Sequence, residues 1–574
     1  MMKAKLTLVA LAVLSANATA ANFAVPQHIE TDYACQRCAA PEHNNTAGVM
    51  TEQSTHLDSQ YGANADIQNK HYSVDANNAG ADNGHLKAAA YYGDFALELA
   101  YVDRWNLDDN DIGAERKQLS AAAKYQTQLV SAFVKASSED KQGQRISSTM
   151  KAGGVKTTNY LEAIDHTTQV MNAGVQLHGD FWNLGVAAFN SDFTDNAGID
   201  ADNSAQQASV KGALNVGSTR LSLSAASGKM IQDDAIEQDN SLVPISNFDG
   251  EVETLDYNAR ISSRFVGIKL SGFYRYSDRD NVSGSYEFFD GNQPPVINTP
   301  IDTSKTQYGV DASYRLGSAK FSAGFEQNDR TRSDSDREET QESELFARVD
   351  YRLGALNSHV KLTNGARTGS DYRIGEDIFE KYYLADRDRL STELGLGYSH
   401  NNYGANLKVI LASDDYANSS ALQESDEVLV NFDGFYRFSE QLVLSAYAGT
   451  QTIDSLELHN TSISDEFSYF GFGLEQYQIN DDISVGSSYT FSFSGSDTSV
   501  DSTEMGDYYQ YQHLAEVHMD YRINARFSTR LAYTYERHYD TNYANQPIES
   551  INSIADLNQN YTDHKIGVFF TIKL

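Results

Sequence analysis

The sequence predicts an all-β protein, a single large closed antiparallel transmembrane β-barrel of about 26 strands with short periplasmic turns and long acidic extracellular loops. Three observations carry this prediction. Apolar and polar residues alternate in run after run of the 574-residue chain. Short turns and long polar connections alternate between those runs. The chain also ends in a strand, Lys565 to Leu574, in which Ile566, Val568, Phe570, Ile572 and Leu574 share one face.

Composition agrees with one continuous β structure. Proline is only 7 residues, while tyrosine is 35, phenylalanine 26 and glycine 39, so breaks are few and strand-forming aromatics are plentiful. The formal net charge of −35, with a pI near 4.6, repels a phosphate backbone and excludes nucleic acid as a partner. A mean hydropathy of −0.50 and the lack of any apolar run of about 18 residues exclude helical spans, but not a barrel, whose strands are only half apolar.

The first residues read as an export signal. Lys3 and Lys5 precede the apolar run Leu6 to Leu14, and Ala18-Thr19-Ala20 is a small-residue cleavage site. This predicts a cleaved signal peptide over residues 1–20, a short periplasmic segment over 21–64, a barrel over 65–574, and a bacterial outer-membrane location.

Hairpins then follow one another. Met171, Ala173, Val175 and Leu177 turn at Gly179-Asp180 into Trp182, Leu184, Val186 and Ala188. Tyr308 to Leu316 turns at Gly317-Ser318 into Ala319 to Phe325, and Leu394, Leu396, Tyr398 cross Asn401-Asn402 to Tyr403, Ala405, Leu407, Val409. Short turns are expected near residues 93, 127, 156, 179, 218, 265, 317, 355, 401, 440, 480 and 524, with a first strand within Ala65 to Asn77. Ile231 to Gly250, Asn328 to Glu344 and Ser413 to Glu427 read as long polar loops. A soluble sandwich, solenoid or adhesin would share the alternation, but not the loop asymmetry, leader and terminal strand together.

The alternation assigns faces. Val175, Leu177, Phe321 and Leu396 are expected toward lipid, with Gln176, Ser322 and Gly395 toward the lumen. Inward faces read as small or polar, as in Gly309, Asp311, Ser313, Arg315 and in Ser484, Gly486, Ser488, Ser492. Barrels of about 22 strands are plugged, and the stretch ahead of the expected first strand is too short and polar for a plug domain. A separate protein is therefore expected to fill the lumen.

No nucleophile motif, phosphate loop or zinc-protease motif appears, so no enzyme activity is expected. Acidic pairs such as Asp233, Asp234, Asp278, Asp280, Asp414 and Asp415 read as solvated surface in so acidic a chain. Cys35-Gln36-Arg37-Cys38 has redox spacing, but without the strand–helix context of such motifs, and Ala39 stands where haem attachment needs histidine. Cys35 and Cys38 read either as a disulfide or thiol pair acting in assembly or as a purely structural element. No metal or cofactor site is expected in this chain.

A CxxC close behind an export leader, on a barrel this large without a plug, resembles the MtrB/PioB family of decahaem-associated outer-membrane porins. The strings Lys381-Tyr382-Tyr383-Leu384-Ala385-Asp386-Arg387-Asp388-Arg389, Tyr276-Ser277-Asp278-Arg279-Asp280-Asn281 and Asn298-Thr299-Pro300 look like family segments. The resemblance implies a sheath for a periplasmic decahaem c-type cytochrome, which carries the haem and passes electrons to an extracellular acceptor. An extracellular multihaem cytochrome or terminal reductase is the further partner it suggests. Two other classes stay open: a diffusion porin or transporter for a small solute, and a lipopolysaccharide-inserting assembly barrel, which the short N-terminal segment fits poorly.

Overall fold

The computed structural model describes residues 22–33, 55–61, 63–68, 72–79, 84–107, 113–150, 157–197, 202–233, 250–284, 286–288, 296–298, 300–371, 384–417, 422–439, 442–457, 460–524, 527–541 and 561–573. The leader, Cys35 and Cys38 lie outside them.

The first strands are β1 (Asn22–Tyr33), β2 (Thr55–Tyr61), β3 (Ala63–Gln68), β4 (Tyr72–Ala79), β5 (His85–Tyr92), β6 (Phe95–Leu107) and β7 (Gly113–Gln126). Next come β8 (Val130–Met150), β9 (Thr157–His178), β10 (Trp182–Asp195), β11 (Asp202–Val216), β12 (Thr219–Asp233), β13 (Gly250–Phe265) and β14 (Ile268–Asn281). A small separate ribbon, β15 (Tyr286–Phe288) and β16 (Val296–Asn298), precedes β17 (Thr303–Leu316), β18 (Ala319–Arg332), β19 (Glu339–Leu353), β20 (Leu356–Gly369) and β21 (Asp386–Ser399). The chain continues through β22 (Tyr403–Ala417), β23 (Leu422–Ser439), β24 (Leu442–Glu457), β25 (Thr461–Gln478), β26 (Ile483–Val500), β27 (Thr503–Arg522), β28 (Phe527–Asp540) and β29 (Tyr561–Lys573).

All but the ribbon belong to one antiparallel sheet of 27 strands. Apart from β2 and β3, which both pair with β1, successive strands of the sheet pair with each other, the simplest way for short turns to connect antiparallel strands. β1 pairs with β29 from Asn22↔Lys573 to Gln27↔Val568, and on its other side with β2 and β3. Tight turns at one end use glycine where the chain reverses with positive φ, as at Gly217 (φ 57) and Gly317 (φ 59).

The structure corrects three expectations. The sheet takes in Asn22–Tyr33 and Thr55–Tyr61, so it begins ahead of the 65–77 window. Residues 151–156 join the far ends of β8 and β9, opposite the turn at 179–181, so the turn expected near 156 is not at the short-turn end. Asn328 to Glu344 and Ser413 to Glu427 are largely paired strand, with Asn328↔Glu342 and Asp414↔Ser425 in register, rather than loops.

Among the described residues, apolar side chains form no central core. Val175, Leu177, Phe321 and Leu396 are 42–48% exposed on the sheet surface, a face that water alone would not tolerate. Stacked aromatics bound it. Tyr398 and Tyr403 lie 5.5 Å apart at the short-turn end, and Tyr257 and Tyr276 lie 6.1 Å apart at the other. Tyr257 and Phe265 sit eight residues apart on one face of β13, which at ordinary rise and tilt separates them by roughly 20 Å along the barrel axis. That is close to the apolar band of an outer-membrane barrel.

Candidate functional site: the polar face of the sheet

Registers carry each face across many strands. Val360, Leu394, Val409 and Val430 form one apolar row, and Arg348, Lys361 and Glu393 form a row on the opposite face. Since the apolar face is the one that suits lipid, the other lines the interior. The pairings place Val175, Leu177, Phe321 and Leu396 on the first face and Gln176, Ser322 and Gly395 on the second.

The inner face of β19 to β24 carries a ladder of charges. Glu393 shares a hydrogen bond with His359 Nε2 at 2.8 Å and meets Lys408 at 3.3 Å. Arg348 holds Asp350 at 2.8 Å and reaches Glu393 at 3.8 Å. Further from the short turns, Asp414 stands 3.4 Å from Arg389 and 3.8 Å from Arg387, which also pairs with Glu342. Arg389 reaches Glu427 at 3.6 Å, and Gln451 donates to that carboxylate at 2.8 Å. Asp414 thus departs from the solvated reading of the acidic pairs: it is buried between two guanidinium groups, whereas Asp415, one residue on, is exposed on the other face.

Above the ladder sits a compact knot. Arg337, 4% exposed, donates to the carbonyls of Ser370 (2.5 Å) and Leu384 (2.7 Å) and to the Asp386 carboxylate (2.6 Å). Leu384 and Ala385 are buried beside it, and Arg367 Nε donates to the Ala385 carbonyl at 2.8 Å. Residues 384–389 of the family-like string therefore form this knot and the head of the ladder. Lys381, Tyr382 and Tyr383 lie outside the described residues. In the second string, Tyr276 stacks on Tyr257, and the Asn281 amide donates to Asp302 at 2.8 Å.

Inward rings lie down on glycines. Phe133 is directly opposite Gly174, Phe273 opposite Gly309, Phe346 opposite Gly324, Phe435 opposite Gly404 and Tyr469 opposite Gly449. Each ring covers its glycine so closely that a Cβ there would stand 2.5–2.8 Å from it. Cross-strand pairs of this kind settle an aromatic side chain along the wall. Arg275 caps the Phe273 ring at 5.0 Å and Lys361 the Phe346 ring at 5.2 Å.

Among the described residues, no group of three or more His, Cys, Asp or Glu could hold a metal. Sequence reasoning misses the ladder and the Arg337 knot, because both depend on which residues register brings together. Alternate charges such as Arg348, Asp350 and Arg352 were the available signal.

A lipid-suited face outside, a polar wall inside and aromatics at both borders define an outer-membrane β-barrel. The chain belongs to the family described as putative outer membrane beta-barrel porin, MtrB/PioB, whose model matches residues 103–574. It is 26% identical over 472 residues to outer membrane protein MtrB of Shewanella baltica (strain OS185), covering 72% of this chain and 68% of the relative. Among solved structures, the FrpB iron transporter of Neisseria meningitidis (F5-1 variant) aligns at 10% identity and TM-score 0.49, covering 80% of this chain and 81% of the other. The siderophore receptor PirA of Pseudomonas aeruginosa aligns at 9% identity and TM-score 0.43, covering 84% and 79%.

Proposed function

We propose that this chain is the sheath of an electron conduit across the outer membrane. It forms a closed barrel, short turns in the periplasm, around a periplasmic decahaem c-type cytochrome that delivers electrons to an extracellular acceptor or reductase. Closure runs through the β29–β1 pairing, and counting the successive β2 and β3 as one strand gives 26. At ordinary strand spacing and tilt, such a ring is roughly 50 Å across its backbone, wide enough for a folded domain.

The observation that carries the proposal is the low relief of the inner wall, with aromatic rings laid across opposite glycines. A water-filled channel has no need of apolar rings held flat, whereas a folded occupant needs a smooth wall with hydrogen-bonding groups between the rings. Kinship with an MtrB protein supports the same reading. The haem belongs to the partner, and the barrel supplies insulation and position. Cys35 and Cys38 serve assembly as a disulfide or thiol pair, because two thiols without a cofactor cannot carry electrons across a bilayer. Their double replacement by Ala should lower barrel levels while leaving transfer per assembled complex intact.

Reconstitution tests the proposal. Liposomes holding barrel and cytochrome should reduce an enclosed dye from a particulate external donor, and liposomes holding the barrel alone should not. A barrel that purifies without haem protein and conducts a small solute selectively would replace the sheath by a diffusion porin.

A further inference from the structure

Close to the short turns, the inner face of β12 to β19 carries Arg220, Arg264, Lys269, Arg315, Lys320 and Arg352. Register sets two pairs of these cations against each other: Arg264 lies directly opposite Lys269, and Arg315 directly opposite Lys320. Like charges facing across antiparallel strands destabilise a sheet. The nearest acid by register is Asp350, opposite Lys320, but Arg348 already holds it at 2.8 Å. Among the described residues, none of the six makes an ion pair, and all but Lys320 are exposed.

Two contrasts give this arc its meaning. The ladder on β19 to β24 is neutralised within the wall, since Glu393, Asp414 and Glu427 answer Lys408, Arg387 and Arg389. The arc has no such answer, although acidic residues outnumber basic ones by 79 to 44 in the chain. Unpaired cations that oppose one another on a wall facing the lumen are poised to meet negative charge from the lumen side.

We propose that this arc at the short-turn mouth seats a patch of acidic side chains on the protein held in the lumen. Because, among the described residues at this mouth, the directly opposed cation pairs lie on β13 to β18, one side of the wall, the pairing fixes the rotation of that protein about the barrel axis. The proposal rests on the sheath reading and adds to it the chemistry of the contact.

The test replaces both opposed pairs, Arg264→Glu with Lys269→Glu and Arg315→Glu with Lys320→Glu, and measures c-type haem retained per purified barrel. Salt is raised from about 0.05 to about 0.5 M, across which screening of exposed charges becomes strong. Retention on the native barrel should fall with salt, and the reversed barrel should retain about tenfold less at low salt. Arg264→Lys with Arg315→Lys should retain native levels. Heat-modifiable migration in gels reports folding; if the reversed barrel does not fold, Arg264→Gln with Lys269→Gln should show the same loss in smaller measure. Native retention and native salt dependence in a folded reversed barrel would overturn the proposal. If the native barrel itself holds no haem protein, the sheath reading falls and the arc's role falls with it. Anion-selective conductance, lost on reversal, would then assign the arc to solute flux.

Discussion

His359 lies across Gly395, its direct partner on the neighbouring strand, and a Cβ at residue 395 would clash with the imidazole ring, well inside van der Waals contact of its Cε1. The ring is held there by its 2.8 Å hydrogen bond to Glu393. Gly395→Val should push the imidazole into the lumen and break that bond, lowering stability by about 1–3 kcal/mol. Gly365→Ala is the matched control, because its nearest neighbours stand 3.5 Å from an added Cβ and the change should stay within about 0.5 kcal/mol. Urea unfolding from bilayers measures both, and equal shifts would show that the glycine beneath the ring has no special place.

Asp414 and Asp415 are adjacent in sequence and opposite in environment. Asp414→Ala leaves Arg387 and Arg389 without a shared carboxylate, with Arg367 directly across from Arg387. The cost should be about 3 kcal/mol, the low end for a broken buried pair, because the Arg389 side chain keeps 33% exposure and water screens it. Asp415→Ala should change stability by less than about 0.5 kcal/mol. The same urea series decides, and a larger effect at residue 415 would reverse the assignment of faces.

Alternation made the fold legible only where lipid demands it. Val175, Phe321 and Leu396 stand out because every second residue must be apolar inside the bilayer. Asn328 to Glu344 lies beyond it, where both faces meet water and pairing continues without an apolar signature. Such strand reads as loop. The turn expected near residue 156 has the same origin, since β8 and β9 run for 21 and 22 residues and outlast their apolar stretch. For the wall, the sequence shows glycines and charges but not their partners: nothing local tells that Phe133 lies on Gly174, 41 residues away, or that Arg337 reaches Asp386. The string 384–389 was visible as a pattern; its role as the knot needed the neighbouring strands.

Depth in the bilayer should grade one substitution along a single strand. Leu394 lies midway between Leu390 and Tyr398 on the apolar face of β21, and Leu396 is a step nearer the Tyr398–Tyr403 border. Leu394→Arg should impair stability by about 2–4 kcal/mol and Leu396→Arg by less, as the penalty fades toward the interface. Gly395→Arg, between them but on the lumen face, should show no lipid penalty and should instead displace His359. Folding yield into bilayers of differing thickness separates these cases: only the lipid-facing pair should respond to thickness. A response at residue 395 like that of its neighbours would refute the assigned register.

Arg337 should tie the end of β20 to the start of β21 without governing the barrel. Its guanidinium is the donor for two carbonyls, of Ser370 and Leu384, and for the Asp386 carboxylate. Those acceptors stand on both sides of residues 372–383, so the side chain ties the two ends of that connection together. Arg337→Ala removes all three bonds, at about 1–3 kcal/mol for each buried acceptor left unmatched. The paired strands below keep their own ladder, so the loss should appear as local opening rather than global unfolding. Trypsin added to intact cells should cut the variant between β20 and β21 well before it cuts the native chain there, while heat-modifiable migration of the barrel stays unchanged. Arg330→Ala, at an exposed position on β18, should leave cleavage at the native rate. Equal resistance of the Arg337→Ala and native chains would mean that these two strand ends are tied by something other than this side chain.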